Sequence, residues 1–279
     1  MSRAVDAVIE FLEAEQARGV THVLLDEEAR EGLRGIYRAA ARPAAKPASA
    51  VQEAEQPPGV VATLTVPAGG TKAERLATLR EMAENWQPTR AMGTLRGTMV
   101  FSVGNPDASL MLVGEAPGHE EERRREPFAG PAGEKLNIIL KTMGLDRKDV
   151  YISNILKFRP STRRQTTNNR TPSPEEITAC MPIVLMEVDI VQPQCIVALG
   201  NTAAAGLLGL TDNVASLRGK WHMSNGIPVR VTHHPSYLLH SDRDLTLKRQ
   251  LWEDMLATME FLQMPVTEKQ RNFFLPKNP

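Results

Sequence analysis

From residue 71 onward, short apolar runs alternate with segments whose apolar residues recur at helical spacing. The apolar runs predict buried strands at 110–113, 150–155, 194–200 and 227–232. The segments with helical spacing are 72–86, 133–142, 174–191, a stretch that begins at Asn201, and 244–263. Strands that alternate with helices predict a parallel sheet covered by helices on both faces, an α/β fold.

The first 70 residues follow a different pattern. Residues 1–38 form a helical segment with an amphipathic helix at 4–18, and residues 39–70 are an Ala/Pro-rich linker without periodicity. The main domain is expected at 71–265, followed by a tail at 266–279. The N-terminal helix is either an accessory element of that domain or a separate arm. In the second case residues 1–70 would bind a protein partner.

Composition narrows the class of protein. The chain has 33 basic and 33 acidic residues, so any contact with nucleic acid must rest on a local patch. No apolar run approaches the ~18 residues of a membrane span, and the N-terminus lacks the apolar region of a signal peptide. Cys180 and Cys195 suit a reducing compartment. We therefore expect a cytoplasmic monomer with no membrane partner.

Polar residues follow each predicted strand: Gly114-Glu115, Asn154, Gly200-Asn201 and His233-His234. In a parallel sheet the carboxyl ends of the strands lie at one edge, where α/β proteins bind their ligands. These segments are therefore expected to line one pocket. The stretch 110–134 leads into it through a Gly/Pro-rich turn.

Each polar or aromatic residue in this pocket has a possible binding or catalytic role, and each could instead have only a structural role. One of His233 and His234 can point inward and donate to an oxyanion, although a histidine is often merely structural. The Asn154 amide can read the polar edge of a nucleobase, or it can form a turn. Phe128 can stack on a planar ligand or belong to the core. Glu115 can position water or stabilise a cation, or be a solvated charge.

Two charged segments flank this region. The run 119–126 reads as a solvated helix or loop. The loop 157–171 carries several cations and no carboxylate, so it predicts a positive strip that follows a phosphate backbone, with a solvated flexible loop as the alternative. Its cations are Lys157, Arg159, Arg163, Arg164 and Arg170.

Together the motifs resemble the uracil-DNA glycosylase superfamily, and within it the bacterial and archaeal branch called family 4. The matching segments occur in family order and cover about residues 100–260. They read GNPDASLMLVGEAPG, PFAGPAGEKL, VYISNILKFRP, TPSPEEITAC, PQCIVALG and HHPSYLL.

The resemblance implies a three-layer α/β/α fold around a four-stranded parallel sheet, and cleavage of the N-glycosidic bond of uracil in DNA. It places catalytic groups at His234, Glu115 and Glu121. It also implies that Ala116, Pro117, Gly118, Phe128 and Asn154 bind the base. The contacts expected with DNA are Arg159, Arg163, Arg164 and Arg170 of the basic loop, Ser236, and the duplex wedge at Leu238 and Leu239.

The cysteines depart from this family pattern. The resemblance implies an iron–sulfur cluster with four cysteine ligands, but three of those positions carry other residues and Cys180 alone remains. One cysteine does not hold such a cluster, so we predict no cofactor and no metal. Apolar packing by Phe158 and Trp86 is expected in its place.

A related branch captures the sugar covalently with a histidine just before Thr-Pro-Ser. Here the loop reads NNRTPS, so covalent trapping is not expected. Three functions remain: a monofunctional uracil-DNA glycosylase of base-excision repair, the same fold acting on other deaminated or mispaired bases, and a non-catalytic DNA-binding or partner-recruiting relative.

Overall fold

The computed structural model describes residues 64–65, 69–162, 165–240 and 244–275. The predicted helical segment 1–38 lies outside these ranges, and so does the linker except for its last residues. Leu64, within the predicted linker 39–70, is buried against the core.

The described elements agree with the predicted alternation of helices and strands. Capping boxes form at Thr71 with Glu74, at Ser173 with Glu176 and at Thr267 with Gln270. None of the described helices has the length and apolarity needed to cross a bilayer. In chain order the elements are α1 (Lys72–Glu84), α2 (Gln87–Arg90), β1 (Leu95–Met99), β2 (Val103–Gly104), β3 (Leu110–Gly114), α3 (His119–Arg124), α4 (Pro131–Met143), β4 (Tyr151–Asn154), β5 (Phe158–Pro160), α5 (Pro174–Val191), β6 (Cys195–Leu199), α6 (Asn201–Leu208), α7 (Val214–Leu217), β7 (Trp221–Ser224), β8 (Ile227–Thr232), α8 (Tyr237–His240), α9 (Leu245–Phe261) and α10 (Glu268–Arg271).

The main sheet has the strand order β2-β4-β3-β6-β8-β7. Its four central strands are parallel, which confirms the predicted four-stranded parallel sheet. The edge strands β2 and β7 run antiparallel to their neighbours and were not predicted. Both are short and half-exposed, so they lack the continuous apolar run of a central strand.

Side chains alternate between the two faces of the sheet, as the pleat requires. On β3, Met111 and Val113 pack with α1, α5 and α6, whereas Leu110 and Leu112 pack with α4 and α9. The central strands are buried throughout. The fold is therefore the expected three-layer α/β/α arrangement.

Two segments differ from their predictions, and the charged run 119–126 adopts one of its two expected forms. The loop 157–171 begins with a buried strand, β5, that pairs with β1, because backbone pairing outweighs its polar composition. The charged run 119–126 contains the helix α3. In the predicted tail, residues 266–275 include α10 and pack on α9, where the Trp252 indole donates to the Gln270 carbonyl at 2.6 Å.

Beneath β4 lies a fully buried ion pair between Lys157 and Glu187. Lys157 Nζ donates to Glu187 Oε2 at 2.7 Å, to Ser153 Oγ at 2.6 Å and to the Asn154 carbonyl at 2.9 Å. Ser102 and Ser153 also donate to the Glu187 carboxylate, at 2.6 and 2.7 Å. The charges are fully partnered, and the network ties the end of β4 to α5.

We expect Lys157→Met to destabilise the fold by about 3–5 kcal/mol, because it leaves the Glu187 carboxylate buried without its cation. The double variant Lys157→Met/Glu187→Gln removes the unpaired charge and should recover much of that loss. Urea unfolding at neutral pH measures both. A single variant that unfolds at the wild-type midpoint would show that the pair does not stabilise the fold.

Candidate functional site

A cavity of about 500 Å³ opens at the carboxyl edge of the sheet. Its size lies within the range of ligand pockets, about 300–1,000 Å³. The ends of β3, β4, β6 and β8 all contribute to its wall, as the strand-end pattern predicted. Predicted site residues that line it are Glu115, Ala116, Pro117, Gly118, Glu121, Phe128, Asn154, Arg170, His234, Ser236 and Leu239.

Gly114, the last residue of β3, lets two predicted base-binding side chains meet. A Cβ built on Gly114 would overlap the Asn154 amide oxygen and the tip of the Phe128 ring. Asn154 lies directly beside it on β4. Any larger residue would therefore push one of these side chains out of place.

Phe128 is held in a strained conformation. Its φ of 53° is in the left-handed region, which costs free energy in a residue other than glycine. Arg147 holds the loop, since its guanidinium donates to the carbonyls of Pro127 at 2.7 Å and Phe128 at 3.3 Å. Gly133 allows the close approach, because a Cβ there would overlap the Phe128 carbonyl. The ring is buried and stacks against His234, with centroids 5.6 Å apart.

The Asn154 side chain is 4% exposed and makes no hydrogen bond with any described residue. Its backbone, in contrast, is fixed from below by Lys157. Asn154 lines the cavity, and its amide atoms are not among the enclosed polar atoms that lack a partner. The amide is therefore open to the cavity, where a ligand or water can supply its hydrogen bonds.

His234, and not His233, faces the cavity. The backbone N–H of Ser236 donates to His234 Nδ1 at 3.2 Å, which leaves the ring proton on Nε2. Burial lowers the pKa of the His234 imidazole to about 4, so the ring is neutral at pH 7. His234 therefore presents one N–H donor and no charge. His233 bonds to Gln250 on α9.

Glu115 lines the cavity from the turn after β3. The Thr202 hydroxyl donates to Glu115 Oε2 at 2.5 Å. Burial raises the pKa of the Glu115 carboxyl above its usual value, and the hydrogen bond from Thr202 offsets part of this rise. Sequence reasoning missed Thr202, although it noted the strand-end dipeptide Gly200-Asn201 just before it.

Glu121, a predicted catalytic residue, supports the loops of the site. Its Oε2 accepts from the Gly118 N–H at 3.1 Å and its Oε1 from the Gly130 N–H at 2.8 Å. The carboxylate thus joins the turn after β3 to the start of α4. With both oxygens already accepting, it fixes the shape of the site more directly than it meets a ligand.

The structure corrects two predicted DNA contacts. Arg159 is 1% exposed, and its guanidinium donates to Glu122, to Asn169 Oδ1 and to the carbonyls of Thr166 and Asn168. The guanidinium of Arg170 donates to the Glu176 carboxylate and to the carbonyls of Ser161, Thr171 and Thr94. The five N–H groups of Arg170 all have acceptors within the protein, and Arg159 Nη1 also lies 3.5 Å from His119 Nδ1. Arg159 therefore shapes the loop from inside. Arg170 holds the loop at the cavity wall, where its side chain is 31% exposed.

The other predicted DNA contacts are placed differently. Leu238 is buried with α4 and α9, so it does not project towards a duplex. Leu239 lies at the cavity wall and Ser236 holds His234. Tyr237, which was not predicted, is 53% exposed at the cavity rim. Arg163 and Arg164 lie outside the described residues and stay predictions.

The cysteines do not fit an iron–sulfur cluster. Cys180 and Cys195 are buried in the separate cores on the two faces of the sheet. Burial raises their thiol pKa values to about 11 and about 12 respectively, which disfavours the thiolate that binds iron. Among the described residues there is no group of three or more His, Cys, Asp or Glu that could hold a metal ion. Trp86 and Phe158 pack in the same core as Cys180, and Arg90 covers the Phe158 ring at 4.5 Å.

We expect Glu115→Gln to raise the melting temperature at neutral pH. A carboxyl whose pKa is raised by folding destabilises the folded state when it is ionised, and the amide removes that cost. The gain should be about 2–4 °C near pH 7 and should shrink as the pH falls below the usual pKa of glutamate. Calorimetry at pH 7 and at a pH below the usual pKa of glutamate measures this gain, with a substitution of the exposed Glu81, Glu81→Gln, as control. A lower melting temperature for Glu115→Gln at neutral pH would contradict this.

Comparison with known proteins agrees with this geometry. The sequence profile of the uracil DNA glycosylase superfamily matches residues 101–256. A type-4 uracil-DNA glycosylase of Thermotoga maritima is 40% identical over 172 residues, which are 60% of this chain and 85% of that protein. The type-4 enzyme of Archaeoglobus fulgidus is 37% identical over 149 residues, 50% of this chain and 72% of that protein. A type-5 uracil-DNA glycosylase of Pyrobaculum aerophilum is 29% identical over 163 residues, 52% of this chain and 69% of that protein.

The matched residues contain β3, β4, β6 and β8 together with each strand end that forms the cavity. The match therefore covers more than half of the chain and the whole parallel core. On this evidence the chain belongs to the uracil-DNA glycosylase superfamily.

Proposed function

We propose that the protein is a uracil-DNA glycosylase that hydrolyses the N-glycosidic bond of a uracil nucleotide extruded from DNA. One observation carries the proposal. A stacking ring, an unpartnered amide, a neutral imidazole donor and a buried carboxylate line one cavity, as Phe128, Asn154, His234 and Glu115. The curated relatives with the same family core are named for this activity.

These four side chains match the chemistry of the reaction. Breaking the bond leaves a uracil anion and an oxocarbenium-like sugar. The Nε2–H of His234 donates to the uracil oxygen on which negative charge develops. The Asn154 amide reads the polar edge of the base while Phe128 covers its face. Glu115, when ionised, stabilises the sugar cation or orients the attacking water.

The reaction is monofunctional in this proposal, and it ends at free uracil and an abasic site. An enzyme that also cleaves the strand needs an amine that attacks the sugar. Among the described residues of the cavity wall there is no lysine. The loop before Thr171 also lacks the histidine of the covalently trapping branch. The product would enter base-excision repair in the cytoplasm.

DNA binding would rest on the rim of this cavity. The buried Arg159 holds Asn169 through its amide oxygen, so the amide N–H groups remain free to bond at the rim. Arg163 and Arg164 stay the candidates for phosphate contact. Leu239, one of the two residues at which the resemblance placed the duplex wedge, lies at this rim together with Tyr237. The protein would act as a monomer, and residues 1–70 would be available to a protein partner.

The proposed enzyme works without an iron–sulfur cluster. Trp86 and Phe158 lie in the same core as Cys180, and the Trp86 indole donates to the Ala179 carbonyl of α5 at 2.9 Å. Apolar packing and this hydrogen bond would take the structural part of a cluster. None of the proposed catalytic steps depends on a metal.

The activity is tested on single- and double-stranded oligonucleotides that contain one uracil, cleaved with alkali at abasic sites. We expect strand breaks at uracil, and about 10²–10³-fold slower excision by His234→Ala, because that variant removes the oxyanion donor. His222→Ala is the matched control, since His222 lies outside the cavity and bonds to the Leu217 carbonyl. It should keep wild-type rates.

Oligonucleotides with hypoxanthine, xanthine or a G·T mismatch separate the alternatives. Excision of one of these bases without excision of uracil would assign a different substrate to the same fold. If wild-type protein formed no abasic sites beyond those of His234→Ala on any of these substrates, the enzyme proposal would be wrong.

The metal-free state is tested by iron and sulfide analysis of protein purified without oxygen. We expect iron far below one atom per chain, and activity that survives a chelator. About four iron atoms per chain, with the absorbance of a cluster, would refute this.

A further inference from the structure

We propose that Thr202 is a positioning residue for Glu115: its hydroxyl holds the carboxylate in one orientation, in which the carboxylate can stabilise a positive charge or accept a proton. This inference rests on the proposed function, because it concerns the orientation and ionisation of Glu115 in the same reaction. It concerns a residue on α6, a helix that supplies none of the proposed catalytic groups.

The geometry of the pair leaves little freedom. Thr202 is 5% exposed, and its hydroxyl lies 2.5 Å from Glu115 Oε2. A hydroxyl has one proton to donate, and here it is directed at the carboxylate. Glu115 Oε1 has no donor among the described residues, so it is the oxygen left for substrate or water. Rotation of the carboxylate would break the bond to a buried hydroxyl and is therefore disfavoured.

Glu115 has no cation to keep it ionised. Besides Glu115, the charged or titratable side chains that line the described cavity wall are Glu121, Arg170, His234 and Tyr237. The donors of Arg170 are already used by the Glu176 carboxylate and by backbone carbonyls, and His234 is neutral at pH 7. Glu121 is itself an acid bound to two backbone amides.

The state of Glu115 is therefore set by two opposed effects. Burial raises its pKa and the Thr202 hydroxyl lowers it. Loss of the hydroxyl leaves burial unopposed, so the pKa of Glu115 rises further and the ionised form is lost at a higher pH than in wild type. A purely structural threonine would change stability without moving this titration.

The test compares Thr202→Val, which keeps the shape but loses the hydroxyl, with Thr202→Ser, which keeps the hydroxyl. We expect Thr202→Val to lower kcat on uracil-containing single strands about tenfold or more at neutral pH, with a smaller change in KM. Its acid limb in the pH–rate profile should move to higher pH, and Thr202→Ser should restore both. Glu115→Gln should abolish that limb.

Thr258→Val is the matched control. Thr258 is equally buried, but it donates to the Asp254 carbonyl within α9, away from the cavity. This variant should lose some stability and keep the wild-type pH profile. If Thr202→Val behaved in the same way, with an unmoved acid limb, the inference would be overturned.

A second measurement does not depend on activity. The carboxyl carbons of ¹³C-labelled glutamate are followed by NMR through a pH titration, and the Glu115 signal is assigned by its absence in Glu115→Gln. In Thr202→Val this signal should titrate at higher pH than in wild type. An unchanged titration would refute the inference even if uracil excision were observed. If the wild type excised no uracil, the proposed function would be refuted. The titration would then still decide whether Thr202 controls the ionisation of Glu115.

Discussion

The site depends on the missing side chain at Gly114. Because this residue ends β3 without a Cβ, the Asn154 amide and the Phe128 ring can come together over the strand end. A second close approach, at Gly133, lets the Phe128 loop lie against the start of α4. Backbone contacts of this kind admit no larger residue without moving the groups that bind the ligand. The absence of a Cβ at Gly114 and Gly133 thus shapes the cavity.

The charged run 119–126 supports this arrangement from the side. Glu121 joins two loops through backbone amides, Glu122 pairs with the buried Arg159, and Glu126 pairs with Arg147, which in turn holds the Phe128 loop. Charge-assisted hydrogen bonds to buried partners are stronger and more directional than exposed ion pairs. A segment that reads as a solvated surface therefore holds the site together.

Two groups in the cavity are unfavourable for folding alone. Phe128 has a strained backbone, and burial raises the pKa of Glu115. The buried Lys157–Glu187 pair fixes the backbone of Asn154 from below. Such costs persist where the surrounding structure holds the group in place, and they cluster at sites of function. The buried ion pair of the core thus supports the backbone of a residue that lines the strained cavity.

Sequence alone predicts the four parallel strands, their helices and the edge at which the site forms, because periodicity and strand-end residues are local signals. It also predicts Glu115, Phe128, Asn154 and His234 as site residues, and the structure brings them to one cavity. Which side chains are available to a ligand is seen only in the folded structure. Arg159 and Arg170 look like phosphate contacts in a polar loop. Each is instead bonded within the protein, to near neighbours and to an acceptor distant in sequence: Glu122 for Arg159 and Thr94 for Arg170. Thr202 acquires its role only by meeting Glu115, 87 residues earlier in the chain. Burial and hydrogen-bond partners are long-range properties, and no local pattern encodes them.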